Sequence, residues 1–261
     1  MGALAGVSTL LLRFLLAPAL VGVASLCARR WGNTVGGWIA ALPFVAGPLL
    51  LVVTLEQGHA FAAGSARSAL SGIVALAVFS NVYARLCLKW PWWAALPGGW
   101  LAYLASAWAM SPWDLGVVAR LVGALVSLWL ARALLPSVPE PREASTAPSR
   151  PSWDLAARMG SAAALVGTIA TLAQRMGPNW SGLLAPFPIS TTILVAFTQA
   201  QEGPVAVTRM LRGFLPALTG LTFFFATLAF LLPLLPTFQA FAIGLAITAA
   251  TQALAIRIAG K

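Results

Sequence analysis

Two kinds of residue in this chain are spaced as if for chemistry. Arginines stand at Arg13, Arg67, Arg120, Arg158 and Arg212, inside or at the ends of long apolar runs. A guanidinium presents a planar fork of donors that suits carboxylate and phosphate oxygens. Prolines interrupt two of the runs: Pro43 and Pro48 in "GGWIAALPFVAGPLLLVVTLEQG", Pro186 and Pro188 in "SGLLAPFPISTTILVAFTQAQEG". Proline removes a backbone donor and clashes with the preceding turn, which costs roughly 3 kcal/mol inside a helix. A break near mid-bilayer is tolerated only where protein or a cavity satisfies the freed backbone groups. Gly47 lies in the first break, and Ser190, Thr191 and Thr192 add hydroxyls just after the second. Together these residues read as a substrate-binding site for an anionic group. Snorkelling of the arginines to lipid phosphates, and prolines that merely kink packed helices, are the competing readings.

The other ionisable residues argue against an enzyme. His59, the single histidine, falls in an expected outer loop, a solvated position. The chain has no HExxH, no nucleophile elbow, no paired cysteines and no Gly-rich phosphate loop followed by Lys. No catalytic residue, metal or cofactor is therefore expected. Glu56 and Glu202 close the proline-broken runs, Asp114 and Asp154 open two others, and Glu140 and Glu143 belong to a linker. None sits at mid-membrane, where proton-coupled exporters of cationic drugs keep a carboxylate. Cys27 and Cys87 lie within or beside apolar runs and offer no disulfide framework.

These residues need elements to hold them, and composition says which. The chain is 60% hydrophobic and 8% charged, with a mean hydropathy of +0.88. A soluble globule is closer to a quarter charged. The net charge of +10 sits singly between apolar runs, with no aromatic-interleaved patch for nucleic acid. The fold expected is an all-α polytopic membrane protein of about nine spans: 8–28, 36–55, 67–88, 92–110, 114–135, 154–174, 181–200, 210–232 and 237–257. Tryptophans such as Trp31, Trp90, Trp113 and Trp153 mark span ends, as interfacial aromatics do. The stretch 136–152, "PSVPEPREASTAPSRPS", reads as a flexible cytoplasmic linker.

A repeat underlies the spans. Shifting the chain by 145 residues overlays 13–110 on 158–255 without a gap, with 24 identities in 98 positions. Arg13, Pro43, Gly58, Arg67, Phe79, Pro91 and Gly99 meet Arg158, Pro188, Gly203, Arg212, Phe224, Pro236 and Gly244. The domains expected are a four-span repeat over 1–112, a linking span over 113–135, the linker 136–152 and a second four-span repeat over 153–261. Four crossings return the chain to its starting side and the fifth carries it across, so the repeats are expected to be inverted. With the N-terminus outside, twelve basic residues fall on the cytoplasmic side: Arg29, Arg30, Arg85, Lys89, Arg132, Arg142, Arg150, Arg158, Arg209, Arg212, Arg257 and Lys261. Arg13, Arg67 and Arg175 remain outside. The positive-inside bias places the N-terminus periplasmic and the C-terminus cytoplasmic, in a bacterial inner membrane.

The four-span unit resembles the GlpM-type small inner-membrane proteins. The likeness rests on "SGLLAPFPISTTILVAFTQAQEG" and the following "VTRMLRGFLPALTGLTFFF". These carry a small-residue start, a leucine, a proline break, a short polar loop with an acid and glycine, and an arginine opening the next span. Members look like dual-topology proteins that pair antiparallel, and this chain would be such a pair fused through its fifth span. The resemblance implies architecture and no active-site residue. The small multidrug transporters share the four-span antiparallel plan, but their membrane-embedded glutamate has no counterpart here. The expectation is a secondary transporter or flippase-like protein for a small anionic or phosphate-bearing substrate. The alternative is a non-transporting assembly or regulatory protein of the envelope. Expected partners are the lipid bilayer, a small-molecule or lipid substrate and, as a homo-oligomer, other copies of the chain, but no nucleic acid.

Overall fold

The computed structural model describes residues 2–44, 46–138, 153–176 and 188–259. Among them all regular structure is helical: α1 Gly2–Trp31, α2 Asn33–Ala40, α3 Ala46–Gln57, α4 His59–Leu86, α5 Trp92–Met110, α6 Val117–Ala133, α7 Asp154–Met176, α8 Ile189–Leu231 and α9 Thr237–Ala259. Three helices, His59–Leu86, Ile189–Leu231 and Thr237–Leu254, are long and apolar enough to cross a membrane. Large apolar side chains stand on the exterior, among them Leu101 at 67% exposure, Trp108 at 72% and Phe238 at 73%. A water-soluble surface rarely collects such residues, whereas a lipid-facing one does. Trp31, Trp90, Trp92, Trp93, Trp113 and Trp153 are all exposed at or near helix ends, where a ring with an apolar body and a polar N–H suits the bilayer interface.

Small residues set how closely the helices approach. A Cβ on Gly37 would lie 2.0 Å from the Met210 carbonyl oxygen, and one on Gly213 would lie 2.0 Å from that of Thr34. At this crossing α2 and α8 touch backbone to backbone, the contact that small residues permit between apolar helices. Buried alanines, including Ala62, Ala66, Ala75, Ala77 and Ala84, do the same along α4.

Two helices begin earlier than the apolar pattern suggests. His59 is the first residue of α4 and not part of a loop, because the connection from α3 is Gly58 alone. Gly58 adopts φ 84° and ψ 170°, a region essentially closed to side-chain-bearing residues. Gly203, at φ 83° and ψ 178°, interrupts α8 in the same way. The 43 residues of α8 are therefore a hairpin of two helical arms. Thr198 Oγ1 lies 3.9 Å from Met210 Sδ across the bend, where a straight helix would separate those residues by about 18 Å.

The 145-residue correspondence extends to the backbone. α4 and α5 begin at His59 and Trp92; the second arm of α8 and α9 begin at Pro204 and Thr237. The turn after α4 carries bonds from Cys87 N to Tyr83 O (2.8 Å), Lys89 N to Leu86 O (3.0 Å) and Trp90 N to Leu86 O (2.9 Å). The turn after α8 repeats them from Leu232 N to Leu228 O (3.1 Å), Leu234 N to Leu231 O (3.0 Å) and Leu235 N to Leu231 O (2.8 Å). Packing follows suit. Gly99 sits against Phe79 and Tyr83, and Gly244 sits against Phe224 and Leu228.

In two of these pairs the helices run in opposite directions. Arg29 meets Asp154 at one end and Gly22 lies against Met159 further along, so α1 and α7 are antiparallel. α4 shares a groove with Ala229 near its start and bonds Gln199, beside the Gly203 bend, near its end. α4 and the second arm of α8 are antiparallel as well.

Candidate functional site

The two breaks differ from simple kinks. Residues 41–45 separate α2 from α3, and Pro43 is buried in that gap. Pro48 is exposed in the first turn of α3, where the absent N–H has no partner to lose. The first helical turn is closed by Gly47 N donating to Pro43 O at 2.8 Å, and its counterpart by Thr192 N donating to Pro188 O at 2.9 Å. Pro188 is buried as the N-cap residue of α8, Ser190 is half-buried, and Thr191 and Thr192 are buried. Pro186 lies outside the described residues, as does the linker from 139 to 152.

Each break packs against the other half of the molecule. Gly47 faces the Phe224 ring, 3.6 Å from where its Cβ would be. Trp100 Nε1 donates to Thr192 Oγ1 at 3.1 Å. About two turns along, Tyr83 Oη donates to Gln199 Oε1 at 2.6 Å, and Gln199 Nε2 donates to the carbonyls of Trp90 (2.8 Å) and Cys87 (3.3 Å). Tyr83, Trp100 and Gln199 were not singled out by sequence; their partners come from another helix, and a lone polar residue in an apolar run gives no such signal.

The arginines fall into two groups. Arg120 is consumed by its own surroundings: Nε donates to Leu115 O at 2.9 Å, Nη2 to Trp113 O at 2.9 Å and Nη1 to Ser71 Oγ at 2.5 Å. It caps the start of α6. Arg212 donates to Pro136 O at 3.1 Å and its own carbonyl accepts from Arg132 at 3.2 Å, which fastens the end of α6 to α8. Arg85 is held by Asn81 and by Leu134 O. Arg158 is 2% exposed and pairs with Asp154 at 2.8 Å, its guanidinium also lying over the Phe197 ring. Arg13 belongs to α1, and its side chain lies outside the described residues.

Arg67 is different. It is exposed and, among the described residues, makes no hydrogen bond or ion pair. It lines a groove of about 490 Å³ with His59, Ala63 and Gly64 of α4, Val117 of α6, Ala229 of α8 and Pro233 beyond it. Ligand sites commonly enclose roughly 300–1,000 Å³. His59 Nε2 lies 2.8 Å from Thr237 Oγ1 at the rim. No acidic side chain lines the groove, so Arg67 presents an unspent fork of donors to whatever occupies it.

The groove and most of the other arginine contacts lie at opposite ends of the bundle. The groove end gathers the Gly58 bend, the start of α6 and the α8–α9 turn. The other end gathers Arg29, Arg85, Arg132, Arg158 and Arg212 with the Gly203 bend. No metal-binding cluster of His, Cys, Asp or Glu occurs among the described residues. Compared with protein families, curated proteins and solved structures, the chain matches none.

Proposed function

We propose that the chain is a secondary transporter or flippase-like protein of the bacterial inner membrane, acting on a small anionic or phosphate-bearing substrate. In this reading nine spans form two inverted four-helix repeats around a linking span, α6, as a fused pair of GlpM-like units. The N-terminus is periplasmic and the groove of Arg67 opens outward. The 145-residue correspondence of bends, turns and packing between antiparallel helices supports the inverted plan. Transporters of that plan bind substrate where discontinuous helices of the two halves meet, and here each break lies against the opposite half.

The observation that carries the anionic substrate is Arg67, which lines a ligand-sized groove without a protein partner among the described residues. The experiment is thermal unfolding of the purified protein with inorganic phosphate, phosphorylated metabolites and short-chain lipid phosphates. A binder of the folded state at 100 times its Kd adds about 2.7 kcal/mol. One such anion should raise the Tm of the native chain and not that of Arg67→Ala. A native Tm indifferent to every anion would end the reading.

The rival, an envelope assembly or regulatory protein without transport, is favoured by how Tyr83, Trp100, Thr192 and Gln199 close the centre on one another. Anion-insensitive melting in a stable, folded protein is its expected signature.

A further inference from the structure

The groove of Arg67 is polar at one end and apolar along the rest. Among the described residues no acid lines it, and the Arg67 guanidinium is its cationic group. His59, earlier on α4, has its Nε2 engaged with Thr237 at the rim. The remaining lining residues, Ala60, Ala63, Gly64, Val117, Ala229 and Pro233, carry no side-chain group able to hydrogen-bond. From His59 to Arg67 α4 rises about 12 Å. The groove therefore holds its charge at one end of an apolar stretch. An inorganic phosphate would use the charge and leave the stretch unused.

The apolar character continues onto the exterior. Phe61, Val118, Phe230 and Leu234, each the next residue after a lining position, are large and exposed. Depth agrees with this. Arg120 donates both to the Trp113 carbonyl and to Ser71 Oγ, and Ser71 lies one turn beyond Arg67 on α4. The Trp113 ring is exposed, and tryptophans at span ends sit at headgroup level in a bilayer. Arg67 thus stands near the depth of lipid phosphates, with walls beside it that suit an acyl chain.

We propose that the groove binds a phosphate-bearing lipid, its phosphate held by Arg67 and its acyl chain lying along Ala60, Ala63 and Gly64. The inference rests on the transporter reading and narrows its substrate from small anions in general to an anionic amphiphile. A guanidinium offers two parallel donors to a pair of phosphate oxygens. Each methylene buried in the groove tightens binding by about fourfold. Charge and chain therefore act together, and neither alone makes a good ligand. An arginine that merely snorkels reaches bulk lipid phosphates without needing a groove. The two cases differ in whether filling the groove matters.

The test melts the full-length chain in detergent with inorganic phosphate, glycerol phosphate, dioctanoyl phosphatidic acid or dioctanoylglycerol. Phosphatidic acid should raise the Tm at a concentration about tenfold or more below that of either soluble phosphate. Dioctanoylglycerol, which has the chains without the phosphate, should not raise it. Arg67→Ala should abolish the shift. Gly64→Phe should abolish it with Arg67 intact, since it places a ring where a Cβ meets open space. Should Gly64→Phe not fold, Ala60→Phe, at an exposed position of the same lining, takes its place. An undiminished shift in the filled groove would make Arg67 a snorkelling residue and overturn the lipid site. Equal potency of inorganic phosphate and phosphatidic acid would overturn the lipid and leave the anionic-substrate reading standing. An equal shift from dioctanoylglycerol would remove the phosphate from the site, and no shift from any probe would end both readings.

Discussion

Gly58 and Gly203, separated by 145 residues, hold the same backbone conformation, φ 84° and ψ 170° against φ 83° and ψ 178°. Both turn one helix into the next with a single residue, and at neither would a Cβ meet any atom within 4 Å. The requirement for glycine is therefore conformational and not steric. Gly58→Ala and Gly203→Ala should each destabilise by about 1–3 kcal/mol, and the double variant should lose nearly the sum, since distant sites add. Urea unfolding of the purified variants measures this; two losses that fail to add would mean that the bends communicate.

Glycine at the α2–α8 crossing behaves differently. Gly37 and Gly213 each face a backbone carbonyl 2.0 Å from an added Cβ, so alanine forces the helices apart. Gly213→Ala should cost about 1–3 kcal/mol or more through overpacking. Gly123→Ala in α6, where the Cβ meets open space, should instead gain about 0.5–1 kcal/mol from helix propensity. Opposite signs in one thermal-shift series are the expected outcome, and equal losses would refute the packing argument.

Arg67 and Arg120 should separate by the same measurement. Arg120 makes hydrogen bonds to Leu115, Trp113 and Ser71, and bonds to charged groups are worth about 1.5–3 kcal/mol each at most. Arg120→Ala should lower stability by about 2 kcal/mol. Arg67→Ala, which breaks no described bond, should stay within about 0.5 kcal/mol. A large stability loss for Arg67→Ala would mean that it is structural after all.

The orientation proposed above can be read with fusions. A fluorescent reporter that matures only in the cytoplasm should glow after Lys261 and stay dark after Met110. The reverse pattern would overturn the orientation and the inverted plan with it.

The linker is expected to be a tether, since it lacks apolar groups to bury. Residues 1–140 and 150–261, expressed as separate chains, should co-purify as a stable pair. Recovery of the intact protein alone would assign the connection a folding role.

What was legible in the sequence is what backbone chemistry dictates. Glycine and proline punctuate a chain wherever it folds, so Gly58 with Gly203 and Pro91 with Pro236 marked matching helix starts before any packing was known. His59 was misplaced in a loop because a one-residue turn has no loop composition to read. The Asp154 cluster stayed hidden for another reason: its partners Arg29 and Gln201 lie 125 and 47 residues away. The i to i+4 spacing of Asp154 and Arg158 was visible, but helix surfaces carry many such pairs. Arg67 and Arg120 looked alike in sequence, and only their neighbours distinguish them.

The single-glycine bends also bear on how the chain could enter a bilayer. An α3–Gly58–α4 hairpin turns on a single residue, so threading it through needs no long hydrophilic loop to be hauled across the hydrocarbon. His59 and nearby Glu56 and Gln57 are its main hydrophilic cargo. In the proposed orientation the α8 hairpin bends at the cytoplasmic, basic end instead, where Glu202 and Arg209 flank Gly203 and need not cross at all. One geometry thus serves both halves, with an acid within two residues of each glycine, Glu56 at one tip and Glu202 at the other.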